Sequence, residues 1–476
     1  MLNGYDNLTL GLLFLIACLG TAAIFIYSWK RYELAILLIL FSSWISWIFY
    51  SNVPATAEEQ TALGFGTYIR IMLVCLMGAC GALQFLKLYK HRQNCLPNYL
   101  ILFGIFICYA ILSVTYSIDR KYTLIRSGEF MFFWGFLLGL HCWIKDRKNL
   151  DKVLNIYFAV MTFSIVINAV AAILLPARVW SWEMSGRLQG LTDHPNTFGA
   201  LCLFAYPIFA WKYMHSRPLI KVGMAILICL TLGMHILSGS RTSLVSAIFG
   251  AMIWLFFSYR TISLKHITVG LTFAMALIIG ASLLIVLKPK SLHRSDASVA
   301  TLTGRVEFWK GCIQLIKERP IQGYGYGVAG KIWEDPRFYR EGEFLWLGSS
   351  KSSLHNGYLS LGIGLGVTGV VMWLWFLVIP IWRTFSLLSN PYKSLILAMI
   401  FQGLLLNFFE SALSSGSQIN ASLVFWLFFV IAGRLPDVIQ QKSLEQSTAE
   451  NFSETSFGFN DQTKLRFVCV NHSGSK

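Results

Sequence analysis

The stretch Ser353-Leu-His355-Asn356-Gly357 ends a long polar segment, and an apolar run from 357 to 381 follows it at once. A run of this length can cross the hydrocarbon core of a bilayer as one helix. Comparable runs recur along all 476 residues, of which 55% are hydrophobic and only 13% are charged. The sequence therefore predicts an all-α fold, that of a polytopic integral membrane protein.

Thirteen apolar segments predict the transmembrane helices, and the N-terminal pattern also accommodates a count of twelve or fourteen. They are 8–29, 33–50, 67–86, 98–115, 128–144, 153–175, 196–211, 220–237, 242–257, 267–287, 357–381, 394–410 and 419–433. The first has no basic n-region, so we expect a retained helix rather than a signal peptide. Lys and Arg gather in alternate loops, which the positive-inside bias makes cytoplasmic. Residues 1–434 then form the membrane domain, and the polar tail 435–476 is disordered and cytoplasmic.

The same topology places residues 116–127 and one long loop, 288–356, on the outer side of the membrane. Within the long loop, Val306, Trp309, Ile313 and Ile316 recur at three- and four-residue steps. This spacing predicts an amphipathic helix with one face on the membrane or on the helix bundle.

The net charge of +16 is explained by cytoplasmic loops that collect Lys and Arg, so no nucleic-acid partner is expected. None of the ten cysteines stands in a Cys-x-x-Cys pair, which argues against a zinc site and against a disulfide framework. The sequence has no His-Glu-x-x-His motif, and the outer segments have no Asp-x-Asp. We therefore expect no metal and no cofactor.

Arginines on the outer side are contrary to the positive-inside bias, so each of them requires a structural or functional explanation. Arg241 lies in Leu237-Ser-Gly-Ser-Arg241-Thr-Ser, at a tight turn between two apolar segments. Such an arginine either anchors a helix end by snorkelling or forms an anion site. Arg305 opens the amphipathic helix, where a cation opposes the helix dipole unless an anion binds there. Converging arginines suit a diphosphate, because guanidinium forks match phosphate oxygens.

His355 is the histidine at the junction of the long loop and a membrane helix. Near neutral pH it could take a proton from an attacking hydroxyl, although an interfacial histidine is often only structural. Asn356 beside it could orient the ring. Glu410 is an acid near the outer end of its span, and it could pair with Arg241 or Arg305, or orient His355.

Two further patterns are less specific. In Asp193-His194-Pro195-Asn196, either Asp193 or Asn196 could cap the following helix, or the segment could contact a substrate. Gly325-Tyr-Gly327-Val-Ala-Gly330 has the spacing of a dinucleotide fingerprint but opens no strand–helix unit, so we expect a flexible turn instead.

Four short patterns in this order resemble the O-antigen ligase/polymerase superfamily of bacterial envelope glycan transferases. They are Gly186-Arg187 with Pro195-Asn196; Ser238-x-Ser240-Arg241-Thr242; Gly304-Arg305 with Trp309, leading to Pro320-x-x-Gly323-x-Gly325; and His355-Asn356 with Gly366 and Gly369. The resemblance covers roughly residues 115–415. Family ligases typically have twelve spans, so the thirteen predicted here leave the N-terminal topology open.

The resemblance implies a metal-independent, inverting glycosyltransferase in the bacterial inner membrane, with its site facing the periplasm. The donor would be a glycan on undecaprenyl pyrophosphate, and the acceptor lipid A–core or another lipid-linked glycan. Arg241 and Arg305 would hold the pyrophosphate, with Arg187 as a third contact. His355 would be the general base, supported by Asn356, Glu410 and Asn196.

The acceptor stays open, since a ligase, a polymerase and a protein O-oligosaccharyltransferase would share this site. A different class, a lipid-linked glycan flippase or anion transporter, could use the same arginines as a passage. A transporter should carry polar residues near the middle of several spans. The midspan segments here are mostly apolar, which favours chemistry at one surface.

Overall fold

The computed structural model describes residues 23–48, 65–92, 96–181, 186–192, 194–258, 305–332, 354–387, 390–411, 413 and 422–440. Nearly all of these residues are helical, as predicted. The helices are α1 (described over 23–30), α2 (Tyr32–Ile48), α3 (Phe65–Arg92), α4 (Asn98–Leu112), α5 (Arg120–Trp143), α6 (Arg147–Leu174), α7 (Pro176–Val179), α8 (Pro195–His215), α9 (Pro218–Ser238), α10 (Arg241–Ser258), α11 (Arg305–Glu318), α12 (Gly357–Phe385), α13 (Pro391–Phe409) and α14 (Ser422–Gln440).

Short elements join some of these helices. One antiparallel pair links β1 (Trp180–Ser181) to β2 (Arg187–Leu188), and Ser181 lies opposite Arg187. Short 3-10 turns cover Ser113–Thr115 and Val328–Gly330.

Eight helices in the described part of the chain are long and apolar enough to cross a membrane. They are Ile71–Leu88, Asn98–Thr115, Arg147–Leu174, Pro218–Ser238, Arg241–Ser258, Gly357–Phe385, Pro391–Phe409 and Ser422–Gln440. The predicted spans 33–50, 128–144 and 196–211 correspond to α2, α5 and α8, which fall outside these eight. The span 267–287 and most of 8–29 lie outside the described residues. A polytopic helical membrane protein is supported, and the count of thirteen stays a prediction.

Two predicted boundaries are wrong. Residues 116–127 were predicted as an outer loop, but α5 already begins at Arg120, where the Asp119 side chain caps it by accepting from the Tyr122 N–H. The tail was predicted to be disordered from 435, but α14 continues to Gln440. Asp437 forms ion pairs with Arg383 and Arg434, which ties this last turn to the end of α12. Residues 441–476 lie outside the described part.

An aromatic cluster forms the core where α4, α5, α12 and α14 meet. Phe103 stacks on Phe376 and on Trp426 with ring centroids 4.8 Å apart in both pairs. Phe130 meets Phe103 edge-on at 5.2 Å. Because helices gain no hydrophobic energy from meeting each other inside lipid, interlocking rings of this kind supply the packing attraction instead.

The glycine-rich turn after α11 docks on a break inside α12. Gly366 has φ 67° and ψ −172°, so the helix hydrogen bonds are interrupted there. In an unbroken helix the Val367 N–H would donate to Ile363, but it donates to the Pro320 carbonyl at 2.7 Å. The Ile363 carbonyl accepts instead from the Tyr324 N–H at 2.8 Å. The turn therefore satisfies the backbone groups that the break exposes, as irregular backbone at membrane depth requires.

The predicted flexible turn is consequently wrong for this segment. Gly323 and Gly325 have φ of 67° and 115°, and a Cβ at either residue would collide with its neighbours. The Gly325 N–H donates to the Gly364 carbonyl at 2.8 Å, and the Tyr326 N–H donates to Ser113 Oγ at 3.0 Å. The turn is a packed part of the fold.

An ion pair fastens the far end of this turn. Lys331 Nζ lies 2.8 Å from Asp119 Oδ2. Partial burial raises the pKa of Asp119, but the hydrogen bonds from Lys331 and from the Tyr122 N–H outweigh it, and the pKa ends below its ordinary value. The start of α5 and the turn are thereby joined.

Candidate functional site

The predicted site residues gather at one end of the helix bundle. Asn196 begins α8, Arg241 begins α10, His355 precedes α12 and Glu410 follows α13. The connections at the opposite end carry Lys145, Arg147, Arg217 and other cations. The site and the basic loops therefore lie at opposite ends of the same helices.

Arg187 on β2 links the small hairpin to the ends of two helices. Its Nε donates to the carbonyl oxygen of Ser238, the last residue of α9, at 2.7 Å. An NH2 group donates to Asn196 Oδ1 at 2.8 Å. Gly239 leaves α9 with φ 60°, and a Cβ there would lie 3.1 Å from Arg187 Nε. Glycine at this position therefore permits the left-handed turn and also leaves room for the Arg187 guanidinium.

The Asn196 amide continues this chain of hydrogen bonds. Its Nδ2 donates to Glu410 Oε1 at 3.0 Å while its Oδ1 accepts from Arg187. These two contacts fix which end of the amide is oxygen. Asn196 does not cap α8; the His194 ring does, since its Nδ1 accepts from the Asn196 N–H at 3.0 Å. Asp193 lies outside the described residues.

Glu410 is a buried carboxylate whose side chain is only 5% exposed. Its Oε2 lies 2.7 Å from His355 Nδ1, and its Oε1 also accepts from Thr242 Oγ1 at 3.5 Å. Of the partners considered for Glu410, His355 is the one that the structure shows. An ionised carboxylate can only accept, so Nδ1 is the donor in this contact, and in the tautomer that the contact selects Nε2 is the basic nitrogen.

The backbone at His355 is unusual. Its φ is +48°, the only positive φ of a non-glycine residue among those that the structure describes. Such conformations cost free energy and cluster at functional sites. The side chain keeps 28% of its surface exposed, so the ring is held on one side and accessible on another.

Asn356 fixes the helix rather than the histidine ring. Its Oδ1 caps α12 by accepting from the N–H groups of Tyr358 and Leu359, at 3.0 Å in both cases. Its own N–H donates to Ser411 Oγ at 3.3 Å, next to Glu410 in sequence. The residue therefore holds the backbone on both sides of the His355–Glu410 pair, and the contacts that the structure gives for Asn356 are with backbone N–H groups and Ser411.

The two other predicted arginines begin helices. Arg241 opens α10 and its side chain is exposed, while Thr242 beside it contacts Glu410. The Arg241 guanidinium makes no hydrogen bond or ion pair with any residue that the structure describes. Arg305 is the first residue of α11, as predicted; its side chain falls outside what the structure describes. That Arg305 joins Arg241 stays a prediction.

The amphipathic helix α11 packs against the start of α12. Cys312 and Leu315 are buried against it, and Ile313, from the face predicted to lie on the membrane or on the bundle, is 45% exposed. Trp309 Nε1 donates to the Leu354 carbonyl at 3.3 Å, one residue before His355. The helix thus supports the strained segment that carries the histidine.

Two residues of the hydrogen-bond network around Asn196 and Glu410, Thr242 and His194, were not predicted as site residues from the sequence. Thr242 stands inside the quoted Ser-x-Ser-Arg-Thr pattern, which was the available signal, but its hydroxyl was given no role. His194 lies between Asp193 and Pro195, and nothing in the residue pattern favoured it as a helix cap over the predicted caps, Asp193 and Asn196. Among the described residues, no group of three His, Cys, Asp or Glu is arranged as a metal site.

The sequence also matches a known family. Residues 199–374 match a family described as O-antigen ligase, which confirms the resemblance that the four patterns indicated. The match contains Arg241, Arg305 and His355, while Arg187, Asn196 and Glu410 lie outside it. A search of curated proteins finds no match to the chain.

Proposed function

We propose that the protein is an envelope glycan transferase, a proposal supported by the match of residues 199–374 to the family described as O-antigen ligase. In the proposed reaction a glycan moves from undecaprenyl pyrophosphate to an acceptor hydroxyl at the periplasmic face of the inner membrane. The observation that carries the proposal is the buried Glu410 carboxylate, 2.7 Å from a partly exposed histidine.

His355 is the general base in this proposal. Its Nε2 takes the proton of the acceptor hydroxyl as that oxygen attacks the anomeric carbon of the donor. A new glycosidic C–O bond forms, the C–O bond to pyrophosphate breaks, and the configuration at the anomeric carbon inverts. The Nδ1–H···Oε2 hydrogen bond keeps the ring in the reactive tautomer, and the Glu410 charge stabilises the imidazolium that forms.

The departing pyrophosphate needs positive charge on the other side of the reacting carbon. Arg241 is suited to this task, because its guanidinium is exposed and stands at the first turn of α10, where backbone N–H groups also favour an anion. Arg305 at the first turn of α11 would be the second contact. Charge builds up on the leaving group as the bond breaks, so donors fixed in advance stabilise the transition state most.

Arg187 takes a different part in the proposed mechanism. Two of its donor groups are engaged by Ser238 and Asn196, so we assign it to holding the hairpin and Asn196 in place. This differs from the third pyrophosphate contact that the resemblance implied. Asn196 and Thr242 then present hydrogen bonds to Glu410 and fix the carboxylate that orients the base.

The acceptor separates the candidate functions. Lipid A–core as acceptor makes the protein a ligase, a lipid-linked repeat makes it a polymerase, and a Ser or Thr of a secreted protein makes it an O-oligosaccharyltransferase. The rival class, a lipid-linked glycan flippase or anion transporter, would need polar groups along a passage. Arg187, Arg241, His355 and Glu410 all stand at the ends of their elements, which favours chemistry at one surface.

The experiment is the His355→Ala substitution, with His215→Ala as control because His215 ends α8 at the opposite end of the bundle. We expect His355→Ala to accumulate in the membrane but to form no glycan product, while the control retains activity. Turnover of lipid-linked donor by the purified protein in detergent, where no gradient exists, would set a transferase apart from a transporter. Normal product from His355→Ala would disprove the mechanism.

A further inference from the structure

A charged cavity lies at the basic end of the bundle, far along the helices from His355. Its volume is about 800 Å³, and it opens between α1, α2, α3, the end of α5 and α6. This size falls in the usual range of ligand pockets, roughly 300–1,000 Å³. Nothing in the proposed glycan transfer uses it.

The charge of the cavity is strongly positive. Four cations line it, namely Lys30, Arg31, Lys145 and Lys152, against the single acid Glu33. Lys152 is paired with Glu33 at 2.9 Å, so its charge is compensated. The other three cations are exposed and form no ion pair with an acid in the described part of the chain. A ligand with negative charge would complete this arrangement.

The cavity is also amphipathic. Beside the cations, its wall contains Leu34, Leu37, Leu88 and Ile156 from three different helices, and Trp143 also lines it. Tryptophan prefers the membrane–water boundary, and apolar side chains directly next to cations suit a molecule with a charged head and acyl chains. A small soluble anion would have no use for this apolar wall.

We propose that this cavity binds the phosphate headgroup of an anionic glycerophospholipid from the cytoplasmic leaflet. Lys30, Arg31 and Lys145 contact the phosphate, and the acyl chains lie along the apolar side chains of α2 and α3. The site assignment stands on the cavity, its uncompensated cations and its apolar wall, and it is independent of the transferase proposal. The loops that carry these cations are the ones that the positive-inside bias makes cytoplasmic.

The test uses the full-length protein purified in detergent, with thermal unfolding and bound-lipid mass spectrometry as readouts. Phosphatidylglycerol should raise the unfolding temperature and remain bound, whereas zwitterionic phosphatidylcholine and soluble glycerol phosphate should do neither. Arg31→Gln combined with Lys145→Gln should weaken phosphatidylglycerol binding by about tenfold or more, since each cation near the surface contributes separately.

The matched control is Lys148→Gln combined with Arg217→Gln, two exposed cations at the same end that do not line the cavity. It should bind phosphatidylglycerol as the natural protein does. If the double variant fails to fold, Lys145→Gln alone provides the same comparison. Equal binding of phosphatidylcholine, unchanged binding by the cavity variants, or equal stabilisation by glycerol phosphate would each overturn the lipid assignment.

Discussion

Replacing Glu410 by Gln tests the part of the proposed mechanism that the structure defines best. The substitution keeps the size of the side chain and removes the charge that faces His355 Nδ1 at 2.7 Å. A neutral amide can still accept a hydrogen bond, but it stabilises an imidazolium far less than a buried carboxylate does. The base would then form its charged state without a counter-charge.

The size of the effect follows from general-base catalysis, which contributes about 10²–10⁴-fold to a rate. Since the histidine itself remains, we expect the Glu410→Gln variant to lose about 10²–10³-fold in kcat. That loss corresponds to about 3–4 kcal/mol of transition-state stabilisation. The KM for the lipid-linked donor should change little, because neither carboxylate oxygen is assigned to the donor.

The assay is steady-state transfer by purified protein in detergent, with the unfolding temperature measured on the same samples. Glu129→Gln is the matched control: this carboxylate is also 5% exposed and paired, with Arg126 at 3.1 Å, but it lies within α5. It should affect stability more than kcat. A Glu410→Gln variant that stays folded and keeps kcat within about threefold would refute the role assigned to the pair.

Two further predictions concern the break in α12 and the anion site. Gly366→Ala should lower the unfolding temperature, because φ 67° with ψ −172° costs a residue with a Cβ about 1–3 kcal/mol. The added Cβ would also collide with the Pro320 and Ile321 carbonyls. Gly233→Ala is the control, since the space around Gly233 is open, and an equal unfolding temperature for the two variants would contradict the docking of the turn. Arg241→Lys and Arg305→Lys should each lower kcat/KM for the donor by about tenfold or more, because the bidentate fork that stabilises the departing diphosphate is lost. Arg120→Lys at the start of α5 should leave kcat/KM unchanged in the same transfer assay. Full activity of both lysine variants would exclude direct recognition of the diphosphate by these arginines.

The local parts of this fold could be read from the sequence. Apolar runs of sufficient length located the eight described helices that could cross a membrane, and the place where a polar loop enters such a run indicated His355. Boundaries were less accurate where a helix extends beyond its apolar part. The start of α5 at Arg120 is an example, because Asp119 supplies a cap and Lys331 a partner from 212 positions away. The hydropathy of residues 116–127 gives no information about a partner as distant in sequence as Lys331.

The glycine-rich turn shows why backbone contacts between distant segments cannot be predicted from a residue pattern. Gly323, Gly325 and Gly366 each permit a close approach between two segments that are distant in sequence. A residue pattern reports only that glycine is present, which a flexible turn would explain equally well. The reciprocal hydrogen bonds of Tyr324 and Val367 became visible only when both segments were placed together.

The order of groups around Glu410 explains how one carboxylate can serve the proposed base. The Asn196 amide links Arg187 to Glu410, since it accepts from the guanidinium and donates to the carboxylate. A direct arginine pair would neutralise the carboxylate, whereas an amide passes on orientation without a formal charge. The Asn196 amide therefore fixes the position of the carboxylate from the hairpin without placing a formal charge of its own beside it. Arg241 makes no hydrogen bond in the described network, so its guanidinium is available to bind the anion that the proposed reaction releases.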